Sequence, residues 1–173
     1  MQTWLRKSLI VSGLALGAVA VGPNASADPG ATMHWQSVVG IIQANNVVGT
    51  GAGAVTGAPG PWSALGGHAN VNLNKGQVEF SIRGLVLAGG NSIGTPGAVL
   101  QIKGTLVCDA NGSAPGGVSV LVDTPLVDLD DEGNARFDGN VGPLPAVCGS
   151  EPDLAFLIRT SGGRWIASGA VLR

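Results

Sequence analysis

Four stretches of the chain pair reactive or ligand-binding residue types with a spacing that chemistry uses. The first is Gly49-Thr50-Gly51-Ala52-Gly53-Ala54, which matches G-x-G-x-x-G/A. In dinucleotide-binding proteins those glycines let the backbone approach a pyrophosphate at the start of a helix. The helix is essential, because its free N–H groups face the phosphates. Here Gly57, Pro59, Gly60 and Pro61 follow, and no carboxylate stands before Glu79 to hold a ribose. Glycine and proline at that density do not allow a helix of useful length. The stretch reads as a flexible glycine-rich loop.

The second stretch, Gly90-Asn91-Ser92-Ile93-Gly94, matches the G-x-S-x-G nucleophile elbow. That elbow exposes its serine at a strand-to-helix turn, with the histidine following in the chain. Thr95-Pro96-Gly97 blocks the helix, and both histidines, His34 and His68, precede Ser92. Other triad orders exist, so a small secreted hydrolase stays open as an alternative. It requires His68 beside a serine or a carboxylate.

The third is acidic. Asp128, Asp130, Glu132 and Gly133 occupy positions 1, 3, 5 and 6 of a calcium-loop template, with Asp138 close behind. Position 12, normally a bidentate glutamate, is Gly139, and the flanking segments read as strands. A solvated hairpin turn is the preferred reading. Calcium on Asp128, Asp130, Glu132 and Asp138 is the one metal candidate, and no other cofactor is expected. The fourth is aromatic: Trp62 lies in the turn-rich "APGPWSALGGH" that ends at His68. A presented tryptophan supplies apolar area with a polar handle, for a sugar or a protein partner. Trp62 and His68 are therefore the candidate contact residues. Trp165, alternating with Ala167 and Val171, reads as core.

These stretches sit in a chain whose ends and composition narrow the setting. Arg6 and Lys7 precede the apolar run Ser8–Gly22, and Ala25-Ser26-Ala27 fits a signal-peptidase site. That is the layout of a secretory signal peptide over 1–27, and the run is shorter than a membrane span requires. Loss of Arg6 and Lys7 takes the net charge from −2 to about −4. A chain with that charge and no basic stripe lacks the footprint of nucleic-acid binding. Abundant Gly, Ala and Val with an Ala-x-Ala site suggest a bacterial source. Cys108 and Cys148 are the only cysteines. In an exported chain they are expected to form one structural disulfide.

The elements that must position these residues read as strands. "HANVNLNKGQVEFSIRG" alternates on both sides of Asn74-Lys75-Gly76, which predicts a hairpin. Leu100, Ile102, Leu106 and Cys108 share one face of a strand, and Val118, Val120 and Val122 share another. "NARFDGNV" places Ala135, Phe137 and Val141 opposite Arg136, Asp138 and Asn140. "DLAFLIRT" and "RWIASGAVLR" flank Ser161-Gly162-Gly163 as a terminal hairpin. "WQSVVGIIQANN" also fits a helical stripe, but its paired β-branched residues and Gly40 favour a strand.

The expected architecture is one all-β domain over 36–173, preceded by a short flexible segment over 28–35. It is an antiparallel sandwich or barrel of about eight short strands, with little or no helix. Gly-bounded strands in an exported chain are similar in a general way to chordin-type repeat domains. The His-x-His and the closing Gly-Glu-Ile-Arg-Gly expected there are absent, so the residues identify no family. The expected role is a secreted, non-catalytic binding or structural protein whose partner is a glycan or an extracellular protein. A protease inhibitor is the remaining alternative, using "GNSIGTPG" or "GSAPGG" as its loop.

Overall fold

The structure, a computed structural model, describes residues 32–150 and 153–170. The signal-peptide segment and residues 28–31 lie outside the described residues. The all-β expectation holds: among the described residues are fourteen strands, one short α-helix and one 3-10 turn. The count exceeds the expected eight. The additional strands are mostly two-residue pairings inside the glycine-rich connections, too short to show a period in sequence.

Two sheets form the sandwich. The first is antiparallel, in the order β1 (Thr32–Trp35), β6 (Gly66–Asn72), β7 (Gln77–Arg83), β12 (Ala135–Asn140). The expected hairpin is β6–β7, paired residue by residue from Gly66 opposite Arg83 to Asn72 opposite Gln77. The second sheet runs β10 (Val120–Asp123), β9 (Gln101–Cys108), β13 (Ala155–Thr160), β14 (Trp165–Ala170), β2 (Ser37–Gly40), with β11 (Val127–Asp128) also on β9. The terminal hairpin is β13–β14, with a bulge beside Ile158.

The segment 28–35, expected to be flexible, is strand β1 from Thr32 onward. It then crosses to the other sheet as β2 after a break at Gln36, so one stretch of chain joins the two layers at a corner. Trp35, 2 % exposed, anchors that corner in the core.

The core lies between the sheets. Ala69, Val71, Val78, Phe80 and Ile82 from the first face Ile102, Leu106, Phe156 and Ile158 from the second, all nearly fully buried. Phe156 lies with ring centroids 5.5 Å from Trp35 and 5.9 Å from Phe80, and Phe137 stacks on Phe80 at 6.0 Å. Such aromatic pairs stabilise beyond their buried area. The expected face-sharing of Leu100 and Val118 fails at both ends. Leu100 precedes β9 and Val118 precedes β10, and both side chains are exposed. The disulfide joins Cys108, at the end of β9, to Cys148 in the single helix α1 (Val147–Ser150), with the Cα atoms 4.8 Å apart.

The dinucleotide look-alike acquires a definite structural role. β3 (Val47–Val48) and β4 (Val55–Thr56) pair as a small ribbon around a 3-10 turn at Gly51–Gly53. At its base the Trp165 indole Nε1–H donates to the Asn46 carbonyl at 2.9 Å, and the Ala58 N–H donates to the Trp165 carbonyl at 2.9 Å. At its tip the Thr50 N–H donates to Ser119 Oγ at 2.8 Å. Trp165 opens β14 and Ser119 precedes β10, so the ribbon crosses the outer side of the second sheet. Thr105, Val107 and Leu157, which point away from the first sheet, are also 0 % exposed, and Thr105 is held there by its hydrogen bond to Asp123 Oδ1 at 2.7 Å. Gly53 is required at the contact, because a Cβ there would run into the Ser119 carbonyl.

Candidate functional site

On the outer side of the first sheet polar side chains converge, and among the described residues none of them is buried. Alternation along each strand sends apolar residues inward and polar ones outward. β1 presents Thr32 and His34, and β6 presents His68, Asn70 and Asn72. β7 presents Gln77, Glu79, Ser81 and Arg83, while β12 presents Arg136, Asp138 and Asn140. Register brings these into cross-strand rows: His34 opposite Asn70 opposite Glu79 opposite Asp138, and His68 opposite Ser81 opposite Arg136.

The rows are tied by hydrogen bonds. His34 Nδ1 lies 2.8 Å from Asn70 Oδ1, and Asn70 Nδ2 donates to Glu79 Oε2 at 3.0 Å. His68 Nε2 lies 3.6 Å from Glu79 Oε1. Gln77 Nε2 donates to Asp138 Oδ1 at 2.7 Å, and Asn140 Nδ2 donates to the Lys75 carbonyl at 2.6 Å. The Asn70 hydrogen bond holds the Glu79 carboxyl below the usual carboxylate range. Partial burial opposes this, while the hydrogen bond and charge of His68 and the charge of Arg136 add to it. A cavity of about 250 Å³ opens between His68, Glu79, Ser81 and Arg136. A second, of about 390 Å³, opens between Asn70, Asn72, Gln77, Glu79 and Asp138.

The sequence candidates are placed unevenly. His68 lies in this face. Trp62 does not contribute to it: on β5 (Trp62–Ser63), paired with β8 (Val86–Leu87), it is 5 % exposed and part of the core. Trp62, which the sequence places between a core lid and a presented contact, is seated inward against the sandwich by its strand. Ser92 lies in an exposed turn between β8 and β9, where its carbonyl accepts from Thr95 Oγ1 at 2.9 Å. The serine facing His68 is Ser81 instead. The turn holding Ile93 is curled, with the Gly94 N–H donating back to the Leu87 carbonyl. It does not offer the extended strand that edge-on recognition uses.

The acidic stretch is a turn. Asp130 accepts from the Asn134 N–H at 2.7 Å and from Asn134 Nδ2 at 3.1 Å. Those bonds, the backbone one foremost, hold the Asp130 carboxyl below its ordinary value. Asp128 accepts from Gln101 Nε2 and Asp138 from Gln77 Nε2. Three of the four candidate ligands, Asp128, Asp130 and Asp138, thus turn to separate partners. Among the described residues no three His, Cys, Asp or Glu side chains come together as a metal would require.

Sequence reading missed Glu79, Ser81, Arg83 and Arg136. Their outward direction was legible in the alternation, but the pairing of β12 with β7 spans some fifty residues and leaves no local mark. No protein-family model, curated protein or solved structure matches the chain.

Proposed function

We propose that the chain is an exported, non-catalytic binding protein and that the outer face of the first sheet holds a glycan. The observation that carries this reading is the composition and level of that face. Four neighbouring strands present side-chain amides, carboxylates and imidazoles linked to one another, with guanidinia beside them, and open to solvent. Amides and imidazoles offer both donors and acceptors, and so do the hydroxyls of a sugar. A network already tied by hydrogen bonds loses little side-chain entropy when a ligand joins it. The disulfide fits export, because such bonds persist in oxidising compartments. Among the described residues no helix is long and apolar enough to cross a membrane.

One observation favours hydrolysis as a second reading: Ser81, His68 and Glu79 line the same cavity. The surroundings support it less well. β7 is paired along its length with β6 on one side and β12 on the other, so its backbone N–H groups serve the ladder in the plane of the sheet. An acyl-transfer site needs such donors aimed at a developing oxyanion.

The test is retention of the purified full chain on a panel of immobilised polysaccharides comprising dextran, xylan, cellulose and polygalacturonate. The proposal expects retention on at least one, weakened several-fold by Asn70→Ala and Gln77→Ala, with the polysaccharide recovered uncleaved. Absence of retention on every member counts against binding. Cleavage that Ser81→Ala abolishes would establish the hydrolase.

A further inference from the structure

The two ends of the polar face differ in how their charges are satisfied. At the Gln77 end both carboxylates are engaged by amides, Asp138 by Gln77 and Glu79 by Asn70. At the other end two guanidinia flank one serine, and among the described residues neither forms a side-chain hydrogen bond or an ion pair. Arg136 is the direct cross-strand partner of Ser81, and Arg83 lies two residues along β7 on the same side. Diagonal neighbours of this kind have Cα atoms about 7–8 Å apart, within reach of two long side chains. His68 completes the surround, opposite Ser81 on the β6 side. Gly66 stands opposite Arg83 and carries no side chain, and the Arg83 Nη2 lies 3.7 Å from where a Cβ would be. Ser81 is therefore bordered by Arg83 and Arg136 where it lines the cleft towards β12, with Glu79 on its other side along β7.

The Ser81 edge continues into a cleft of about 640 Å³ that also includes Arg83, Asn134, Asp128 and Asp130. Both aspartates there are already engaged, Asp128 by Gln101 and Asp130 by Asn134. Glu79, the remaining acid of this neighbourhood, is bonded to Asn70 and beside His68. The carboxylates accept from amides, while the Arg83 and Arg136 N–H donors have no side-chain acceptor among the described residues and are free to meet one from a ligand.

We infer that the Ser81 end takes an oxyanion of an acidic glycan, held by the Arg83 and Arg136 guanidinia with the Ser81 hydroxyl donating between them. The inference rests on the glycan reading and adds the ligand's charge class. Arginine forks suit this task, because a planar guanidinium meets a carboxylate or sulfate through two parallel N–H donors. The neutral hydroxyls of the same chain would lie along the amide-rich rows towards Gln77.

The experiment compares binding of the full chain to polygalacturonate, to the same polymer fully methyl-esterified, to dextran sulfate and to dextran, at low and at high salt. The acidic polymers are expected to bind about tenfold more tightly than their neutral counterparts, the usual worth of a charge-assisted hydrogen bond. The preference should shrink at high salt. Arg83→Gln with Arg136→Gln should reduce binding of the acidic polymers to the neutral level without moving the melting temperature, since both side chains are exposed and unpaired. Preference for polygalacturonate alone identifies a carboxylate, for dextran sulfate alone a sulfate, and for both a general oxyanion. Equal binding of polygalacturonate and its ester, unchanged in the double variant, overturns the inference and leaves the glycan reading standing. No binding to any of the four polymers or to the wider panel removes both.

Discussion

The outer sides of the two sheets solve the same problem in opposite ways. On the second sheet the outward residues of β9 and β13 include Thr105, Val107 and Leu157, all shielded from water, and the Asn46–Ala58 ribbon is tied to that sheet at Trp165 and beside β10 at Ser119. On the first sheet the outward residues are amides, acids and bases that water or a ligand can satisfy, and those described are partly or fully exposed. An apolar outer face must be covered, because burial contributes roughly 25 cal/mol per Å². A polar one gains nothing from a cover and is free to recognise. The difference teaches where to look for function. The glycine-rich motif that resembles a nucleotide site is packing, and the plain alternating hairpin β6–β7 carries the proposed recognition surface.

That contrast can be broken or sharpened by substitution, and the largest effect is expected at the disulfide that pins the covered sheet. Cys108→Ala with Cys148→Ala opens a loop of 40 residues and should cost about 4 kcal/mol in urea unfolding. Next comes Leu157→Ala. Beneath a cover, loss of a 0 % exposed leucine should cost about 3 kcal/mol. A cost within about 0.5 kcal/mol, as at an exposed site, would mean that the face is not covered. Gly53→Ala strikes the cover itself, and forcing a methyl against the Ser119 carbonyl should cost about 2 kcal/mol. Its signature is faster amide exchange in β3 and β4 with β6 and β7 unchanged.

A smaller effect is expected where the second sheet emerges from beneath its ribbon. There Asp123 meets Lys103 at 2.5 Å and Arg159 at 3.1 Å, and accepts from Thr105 Oγ1 at 2.7 Å. Burial pushes its carboxyl up, but the hydrogen bonds from Lys103 and Thr105 and the charges of Arg159 and Lys103 outweigh that, and the net shift is downward. A lowered folded value means that ionised Asp123 stabilises the fold above its unfolded value near 3.8, and that this is lost as pH falls through the folded value. Asp123→Asn should therefore cost no more than about 1 kcal/mol at neutral pH, given the pair's partial exposure. The gap to the parent should close on acidification below about pH 4. The smallest effect belongs to the open face. Arg136→Gln should change stability by less than about 0.5 kcal/mol, because the side chain makes no contact that folding depends on.

The fold was legible wherever alternation ran for six or seven residues. β6, β7, β12, β13 and β14 follow from period two, and the disulfide follows from two cysteines in a chain whose N-terminus reads as an export signal. Where strands shrink to two residues, as at β3–β4 and β5–β8, no period exists to read, and glycine-rich sequence looked like loop. Trp62 shows the same limit, for its surroundings are rich in turns while the ring is seated by a two-residue pairing with Val86 and Leu87. The site was legible one strand at a time. His68 was found for its chemistry, and Arg136 and Asp138 were seen to point outward together. What no local pattern encodes is the long-range register that sets Arg136 against Ser81 and Asp138 against Glu79.

The most direct test of the central claim is amide chemical-shift mapping of the full chain during titration with its tightest-bound polysaccharide from the panel. The account predicts shifts concentrated in β6, β7 and β12, centred on His68, Glu79, Ser81 and Arg136, with the β3–β4 ribbon unmoved. Shifts centred on the ribbon and the second sheet, or none at saturating polysaccharide, would contradict it.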